Sequence, residues 1–306
     1  MGFAEFMERA LYDPDHGFYE SGRAGRRQGH FITSPEVGPL FGAVVARMLD
    51  RRWQELGRPA PFTVIDAGAG PGTLARTVAK ADPGCSPALQ WINVERTAAG
   101  RAAHTVGRSR SDLPPGPVTG VILANELLDN LPVRLFDADG HEVGDQPPSP
   151  EDRLTPRQDH AAAWLAQSLS VVDRGTVVVI DYTSTTESMT RRPWPEWLRT
   201  YRGHQRGDDP WTAPGTQDIT CEVALDQLAA VRPPTRVTDQ ATWLRAHGID
   251  TLVAEGTAAW RAGAARGDLA ALAGRSRAIE AEALLDPSGL GGFTVAEWDR
   301  PAPAGP

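Results

Sequence analysis

The stretch PFTVIDAGAGPGTLARTVAK, residues 61 to 80, decides the fold. Its opening, PFTVID, predicts a buried strand, and GPGTLARTVAK is typical of a helix. The glycines between them allow a sharp turn and let a ligand approach the main chain closely. The stretch therefore predicts a strand, a tight loop and a helix, with a ligand site at the loop.

The same alternation continues along the chain. Strands are predicted at LQWINVE (89 to 95), VTGVILA (118 to 124) and GTVVVIDY (175 to 182), and helices at TAAGRAAHTVG (97 to 107) and DHAAAWLAQSLSVV (159 to 172). Short apolar strands separated by helices imply an α/β fold, with a mostly parallel sheet and helices on both faces. In such sheets ligands bind at the carboxyl ends of the strands.

The flanking regions suggest a division of the chain. We expect residues 1–58 to form an N-terminal helical segment and flap over the site, and 59–306 to form the catalytic domain. The polar, Pro-rich stretch 137–158 is predicted to be a loop or the stub of an insertion. The segment at about 183–218 has little periodicity, and we expect an inserted, irregular substrate-binding loop there.

Composition narrows the function classes. The 306 residues carry a net charge of −8, which argues against a general binder of nucleic acid or anionic membranes. Two cysteines suggest neither a disulfide framework nor a Cys-based metal site, and no metal cluster is expected. The absence of an apolar stretch of membrane-spanning length and of a signal-peptide pattern leads us to expect a cytoplasmic protein.

The glycine loop differs from two common phosphate-binding patterns. A dinucleotide fingerprint requires G-x-G-x-x-G, but here Gly68, Gly70 and Gly72 are followed by Thr73 at the expected place of the third glycine. A Walker loop requires Gly-Lys-Ser/Thr, which is absent. An acid on the strand followed by G-x-G-x-G is similar to the first motif of class I methyltransferases, which bind S-adenosylmethionine (SAM).

Two acids at successive strand ends support this interpretation. In that motif Asp66 would hold the ammonium group of SAM, and Glu95 would accept hydrogen bonds from both ribose hydroxyls. A glycine-rich turn without a ligand is the alternative, and the two acids make it less favoured.

A second motif is VILANELLDNLPVRLF, residues 121 to 136. An apolar strand ends in Asn125 and Glu126, and Asp129 follows three residues later. Burying an unpaired carboxylate costs several kcal/mol. These acids must therefore be solvated, paired within the protein, or ready to receive a cation.

Several stretches together resemble the MidA-like methyltransferases, whose mitochondrial member is an assembly factor of respiratory complex I. They are FMERALYDPDHGFY, GHFITSPEVGPLFG, DAGAGPGTL, ANELLDNLPV and RTYRGHQRGDDPWTAPGTQDIT, in the family's order up to about residue 230. The resemblance implies a Rossmann-like class I methyltransferase domain with an added helical part, SAM as cofactor, S-adenosyl-L-homocysteine as product, and a protein arginine as acceptor. The chain departs from the family at DAGAGPG and at Asp181-Tyr182-Thr183, where Glu-Leu-Gly-Pro-Gly and Asp-Tyr-Gly are usual.

The resemblance also implies catalytic roles. Glu126 would orient a guanidinium and take up its charge, Asn125 would orient Glu126 or hold the acceptor, and Asp129 would be a second clamp. Glu36, in the ITSPE piece, would close the pocket, and His204 would be a general base. Capping of a turn by Asp129, helix-dipole stabilisation by Glu36 and a loop hydrogen bond from His204 are the structural alternatives.

Thr33 and Pro35, which lie in the same ITSPE piece, are expected at the cofactor. Two other functions stay open: methylation of a small molecule at nitrogen or oxygen, permitted by the Trp-rich stretch 194 to 211, and an assembly or chaperone factor that binds SAM with little turnover. No nucleic-acid or membrane partner is expected, and the sequence leaves the oligomeric state, including a homodimer, open.

Overall fold

The computed structural model describes residues 1–20, 33–202, 205–207, 209–264 and 269–300. Its helices are α1 (Phe3–Tyr12), α2 (Ser34–Val37), α3 (Pro39–Glu55), α4 (Thr73–Ala81), α5 (Ala98–Ala102), α6 (Asp159–Val171), α7 (Thr186–Arg191), α8 (Leu225–Val231), α9 (Gln240–Ala246), α10 (Ile249–Gly263) and α11 (Leu269–Leu285).

The strands are β1 (Phe62–Ala67), β2 (Leu89–Val94), β3 (Arg108–Arg110), β4 (Val118–Asn125), β5 (Arg134–Phe136), β6 (Thr155–Arg157), β7 (Val172–Asp181), β8 (Thr183–Ser184), β9 (Leu198–Arg202), β10 (Gln205–Arg206), β11 (Asp218–Cys221), β12 (Val223–Ala224), β13 (Arg236–Asp239) and β14 (Thr294–Arg300).

A seven-stranded sheet forms the centre, in the order β13-β14-β7-β4-β1-β2-β3. The pairs β1–β2, β2–β3, β1–β4 and β4–β7 are parallel, whereas β14 is antiparallel to both of its neighbours. The chain builds outward from β1 to β3 and then resumes at β4 on the other side of β1. The gap between β1 and β4 is therefore the switch point, where such sheets bind ligands.

Helices cover both faces of this sheet. On one face α3, α4 and α9 to α11 share a core with the buried side chains of β1 and β4; on the other, α6 and α8 pack against β7. Every residue of β1 is buried, as expected for a strand covered on both sides. The predicted α/β class is confirmed.

The segment expected to be an irregular loop is more regular than predicted. Part of it forms a three-stranded sheet in the order β10-β9-β11. Trp194 and Trp197 are 3% and 0% exposed and pack in a third core with Phe3 and Met7 of α1. These tryptophans stabilise the N-terminal helix and do not line the cavity described below, so they give no support to a small-molecule pocket.

Smaller differences between the predicted elements and the structure have local causes. Gly38 separates α2 from α3, because a residue before proline is disfavoured in the helical region and proline is favoured in the first turn of a new helix. The helix predicted at 97–107 ends at Ala102, and the polar strand β3 was not predicted. Residues 137–154 connect the antiparallel strands β5 and β6, so the end of the stretch 137–158, which was expected to be a loop or the stub of an insertion, forms β6.

The division at residue 58 stays a prediction. Within 1–58, α1 belongs to the third core, whereas Leu40, Val44 and Met48 of α3 pack in the core of the central sheet.

Candidate active site

A cavity of about 590 Å³ opens at the carboxyl ends of β1, β2, β4 and β7. Its volume is in the range of small-molecule sites. Predicted site residues that line it are Thr33, Pro35, Glu36, Asp66, Gly68, Gly70, Thr73, Glu95, Asn125, Glu126 and Asp129. Gly72 does not line it, and His204 lies outside the described residues.

The glycine loop follows β1 at the floor of the cavity. Gly68 and Gly70 have φ values of +73° and +50°, in the left-handed region that favours glycine. A Cβ on Gly70 would meet no atom within 4 Å, whereas one on Gly68 would lie 3.0 Å from Cδ1 of Leu127. A side chain at Gly68 would therefore clash with Leu127.

Asp66 is buried at the end of β1 with a carboxylate oxygen unsatisfied. It is 4% exposed, and Oδ2 has no hydrogen-bond partner among the described residues. Burial, and then the charge of Glu95, raise its pKa to about 7. A cation or a hydrogen-bond donor placed here would stabilise the charged form of the carboxylate and so compensate for the water that it loses on burial.

Glu95 ties together the two loops at this end of the cavity. Its Oε1 accepts hydrogen bonds from N and Oγ1 of Thr97, both at 2.8 Å, and its Oε2 accepts one from N of Gly70 at 2.9 Å. Glu95 thus shapes the glycine loop, a role that its position in the sequence did not reveal.

Glu126 is held in an uncommon backbone conformation just after β4. Its φ is +51°, which is rare for a residue with a side chain, and its N–H donates to O of Ile180 at 2.8 Å. Its Oε1 accepts hydrogen bonds from Nδ2 of Asn125 at 3.0 Å and from N of Ser34 at 3.3 Å. Strain of this kind is often found at functional sites.

The surroundings of Glu126 favour its protonated form when no cation is present. Burial is the main cause, the charge of Asp129 adds to it, and together they raise its pKa to about 8. Oδ1 of Asn125 is buried without a hydrogen-bond partner among the described residues. Asn125 can thus accept a hydrogen bond from a ligand, and Glu126 can do so when a bound cation favours its ionised form.

Asp129 lies deeper in the same cavity. It is 3% exposed; Oδ2 accepts a hydrogen bond from the hydroxyl of Tyr182 at 2.5 Å, while Oδ1 has no partner in the described part of the chain. Burial raises its pKa to about 6. Behind it, Oδ2 of Asp181 accepts from the N–H groups of Leu128 and Asp129 and so positions this turn.

The N-terminal segment reaches the cavity through α2. Glu36 lies there half-buried, and burial raises its pKa. Ser34 connects α2 to the C-terminal helices, since its hydroxyl donates to Oε1 of Gln240 at 3.0 Å and both residues are 0% exposed.

Sequence reasoning missed a third carboxylate in this part of the cavity. Asp218, at the start of β11, is 8% exposed and lines the cavity with Tyr12, Tyr19 and Asn130. Burial, and then the charge of Asp129, raise the pKa of Asp218 to about 7. The family-like stretch GTQDIT contains it, but nothing local indicated that it lies close to a residue 89 positions earlier.

Within the described ranges, no group of three or more His, Cys, Asp or Glu residues is arranged to hold a metal ion. Among the same residues, no helix has both the length and the apolarity needed to cross a membrane.

The residues at the glycine-loop end fit SAM. The unsatisfied Oδ2 of Asp66 suits an ammonium group, and the open space above Gly70 leaves room for a ligand against the main chain. The unsatisfied Oδ1 of Asn125 suits a further donor. A seven-stranded sheet of this order with a SAM-compatible site at its switch point defines a Rossmann-like methyltransferase.

The family follows from comparison with known proteins. Residues 44–147 and 157–238 match the model of the family described as "Putative S-adenosyl-L-methionine-dependent methyltransferase". These ranges cover more than half of the chain, and the chain belongs to this family. It is a SAM-dependent methyltransferase, with the MidA-like relationship that its motifs suggested.

Relatives and a solved structure agree with this assignment. The chain is 25% identical over 315 residues to the bovine mitochondrial protein arginine methyltransferase NDUFAF7, covering 81% of this chain and 70% of that protein. It is 43% identical over 77 residues to the Drosophila melanogaster homologue, covering 25% of this chain and 18% of the other. A Burkholderia thailandensis protein crystallised with S-adenosyl-homocysteine has the same fold, with a TM-score of 0.80, 24% identity, and coverage of 99% of this chain and 89% of that one.

Proposed function

We propose that this methyltransferase transfers a methyl group from SAM to a guanidinium nitrogen of arginine in a protein or peptide. One observation carries the proposal: beside the glycine loop, the cavity is lined by Glu126, Asp129 and Asp218, carboxylates with no cation among the described lining residues that pairs with them. The names of the relatives, which are arginine methyltransferases, support the same acceptor.

The cofactor would bind at the glycine-loop end, with Asp66 at its ammonium group and Glu95 at its ribose. Thr33, Pro35 and Thr73 would complete the lining of this end. Bound SAM supplies a methyl group attached to a positively charged sulfur. The acceptor nitrogen would attack the methyl carbon, and the sulfur would leave as part of S-adenosyl-L-homocysteine.

The carboxylates would solve the specific difficulty of an arginine acceptor. A guanidinium is always protonated and its lone pairs are delocalised, so one nitrogen must be oriented and its charge balanced. Oε2 of Glu126 is not used in the bonds from Asn125 and Ser34, and it would contact the acceptor nitrogen. When the N–C bond forms, the proton of that nitrogen would pass to Glu126.

Asp129 would bind a second N–H of the guanidinium through its unsatisfied Oδ1. A group held between two carboxylates gains charge-assisted hydrogen bonds and a defined orientation. Glu36 would add negative charge above the site, so that the cationic cofactor and the cationic acceptor are bound together. A cytoplasmic location and a protein partner are part of the proposal; the bovine and Drosophila relatives are mitochondrial proteins.

The test uses SAM with a labelled methyl group. The protein is incubated with lysate of its source cells, and proteins are separated from small molecules. We expect label in a protein band and methylarginine after its hydrolysis. Label only in the small-molecule fraction would contradict the proposal in favour of a tailoring enzyme, and bound SAM without any transfer would point to an assembly factor.

A further inference from the structure

The acceptor end of the cavity contains a carboxylate that the proposed function does not require. The cofactor needs Asp66 and Glu95, and methyl transfer needs Glu126 with Asp129. Asp218 belongs to neither pair and comes from a different part of the chain, the start of β11.

The surroundings of Asp218 fix its position. Tyr19 donates from its hydroxyl to Oδ1 at 3.0 Å, and Asn130 donates from Nδ2 to the same oxygen at 3.0 Å. The Nδ2 of Asn130 also donates to O of Ile219 at 3.1 Å. Since Asn130 directly follows Asp129, this side chain joins the turn that bears Asp129 to the strand that begins with Asp218.

Both of these donors bind Oδ1, so neither of them occupies Oδ2 of Asp218. The neighbouring Asp129 is 3% exposed, lines the same cavity and has its Oδ1 unsatisfied. Two adjacent buried carboxylates repel each other, and a fold does not gain stability from bringing them together without a cation. The unsatisfied oxygen of Asp129 therefore points to a cationic ligand at this place.

Resting on the proposed function, we propose that Asp218 is a specificity residue that binds the outer N–H groups of the acceptor guanidinium, opposite the nitrogen that Glu126 orients. A guanidinium has five N–H donors in one plane and can reach several carboxylates at once. An ammonium group is a compact point charge and has no such spread of donors. Asp218 would thus favour arginine over lysine.

The variant that tests this role is Asp218→Asn. It removes the charge, keeps an oxygen for Tyr19 and Asn130, and relieves a buried carboxylate, so folding should not suffer. The matched control is Asp173→Asn, at an exposed position near the start of β7, the end away from the cavity.

Initial rates are measured with saturating labelled SAM and a pool of capped pentapeptides with central Arg and randomised flanks. Parallel pools carry Lys or uncharged citrulline at the centre.

We expect the wild type and Asp173→Asn to methylate the Arg pool and not the Lys or citrulline pools. For Asp218→Asn, KM should rise about 10- to 100-fold, the scale of one lost charge-assisted hydrogen bond, with kcat within about threefold. Binding of S-adenosylhomocysteine should be unchanged. Tyr19→Phe, which keeps the carboxylate but removes a donor that orients it, should raise KM by less, roughly threefold.

An Asp218→Asn enzyme with a wild-type KM would overturn the role of Asp218 and leave the proposed function standing. Loss of S-adenosylhomocysteine binding in this variant would also overturn it, because the residue would then act on the cofactor. A wild type that transfers no methyl to the Arg pool would instead contradict the proposed function itself.

Discussion

Glu126 is the residue on which the account depends most. Its position after β4, its positive φ and its bonds to Asn125 and Ser34 place a carboxylate beside the glycine loop. We expect Glu126→Gln to bind S-adenosylhomocysteine normally but to lose at least about 100-fold in kcat, the scale of a lost electrostatic contact in a transition state. Calorimetry would measure the affinity for S-adenosylhomocysteine, and initial rates would measure kcat. Glu282→Gln, at an exposed position of α11, is the control, and near wild-type turnover by Glu126→Gln would remove Glu126 from the mechanism.

The raised pKa of Glu126 also predicts a pH-dependent stability. The folded pKa of about 8 exceeds the ordinary value of 4.5, so the folded state binds the proton more tightly than the unfolded state. Stability from this group is therefore present below about pH 4.5 and is lost as the pH rises toward 8. Glu126→Gln should be more stable than the wild type at pH 9, by on the order of 2 kcal/mol after allowance for its partial exposure, and by less at pH 5. Denaturant unfolding at both pH values measures this; a difference that does not change with pH would contradict it.

The glycine loop between β1 and α4 gives a prediction at the scale of an element. In Gly68→Val the new Cβ would lie 3.0 Å from Leu127, at a φ of +73°. The loop would have to move, and binding of S-adenosylhomocysteine should be lost. Gly57→Val is the matched control, since Gly57 has a φ of +83° and nothing within 4 Å of the added atom. It would bear comparable backbone strain, about 1 kcal/mol, away from the cavity. Equal cofactor affinity in both variants would contradict the placement of the loop.

The position of α2 depends on buried polar contacts with the C-terminal helices. Gln240→Ala would leave the hydroxyl of Ser34 without its partner, at a cost of about 1–3 kcal/mol in the free energy of unfolding. Because the N–H of Ser34 also donates to Glu126, we expect a lower kcat as well. Gln54→Ala, at an exposed position of α3, is the control. Loss of stability with unchanged kcat would show that α2 does not position Glu126.

Elements differ in how well the sequence predicts them. The strands β1, β4 and β7 could be predicted because apolar runs buried on both sides leave a clear pattern. The strand β2 is only partly buried, and its prediction rested on the short apolar run LQWINV. The strand β3 could not, since its sequence RSR is polar and it pairs only at the sheet edge. The small sheet around β9 was missed because the segment that leads into it is held by contacts between distant parts of the chain: Trp194 and Trp197, just before β9, pack in one core with α1.

At the scale of the whole molecule, the sequence also predicts the site only in part, because contacts between distant parts of the chain leave no local pattern. Residues at strand ends, such as Asp66 and Glu126, could be predicted because the fold brings the ends of parallel strands together. Asp218 could not, because its proximity to Asp129 depends on how the small sheet packs beside the large one. Local patterns locate the cofactor end of such a cavity better than its acceptor end.

The carboxylates of the cavity predict that the protein releases a proton when it binds the cationic acceptor. At pH 7.5 Glu126, with a pKa of about 8, holds its proton in most molecules, and Asp218, with a pKa of about 7, holds it in some. A cationic acceptor lowers the pKa of both, so its binding should release about one proton. Calorimetry of an arginine peptide with the S-adenosylhomocysteine complex, in phosphate and in Tris, would detect this as a buffer-dependent heat. Equal heats in both buffers would contradict it.

The most direct test of the central claim identifies the atom that receives the methyl group. The acceptor is prepared with ¹⁵N-labelled arginine and incubated with SAM that carries a ¹³C methyl. We expect an NMR correlation between the new ¹³C methyl and a guanidinium ¹⁵N, formed by the wild type and at least about 100-fold more slowly by Glu126→Gln. A methyl group on any other atom, or equal rates for the two enzymes, would contradict it.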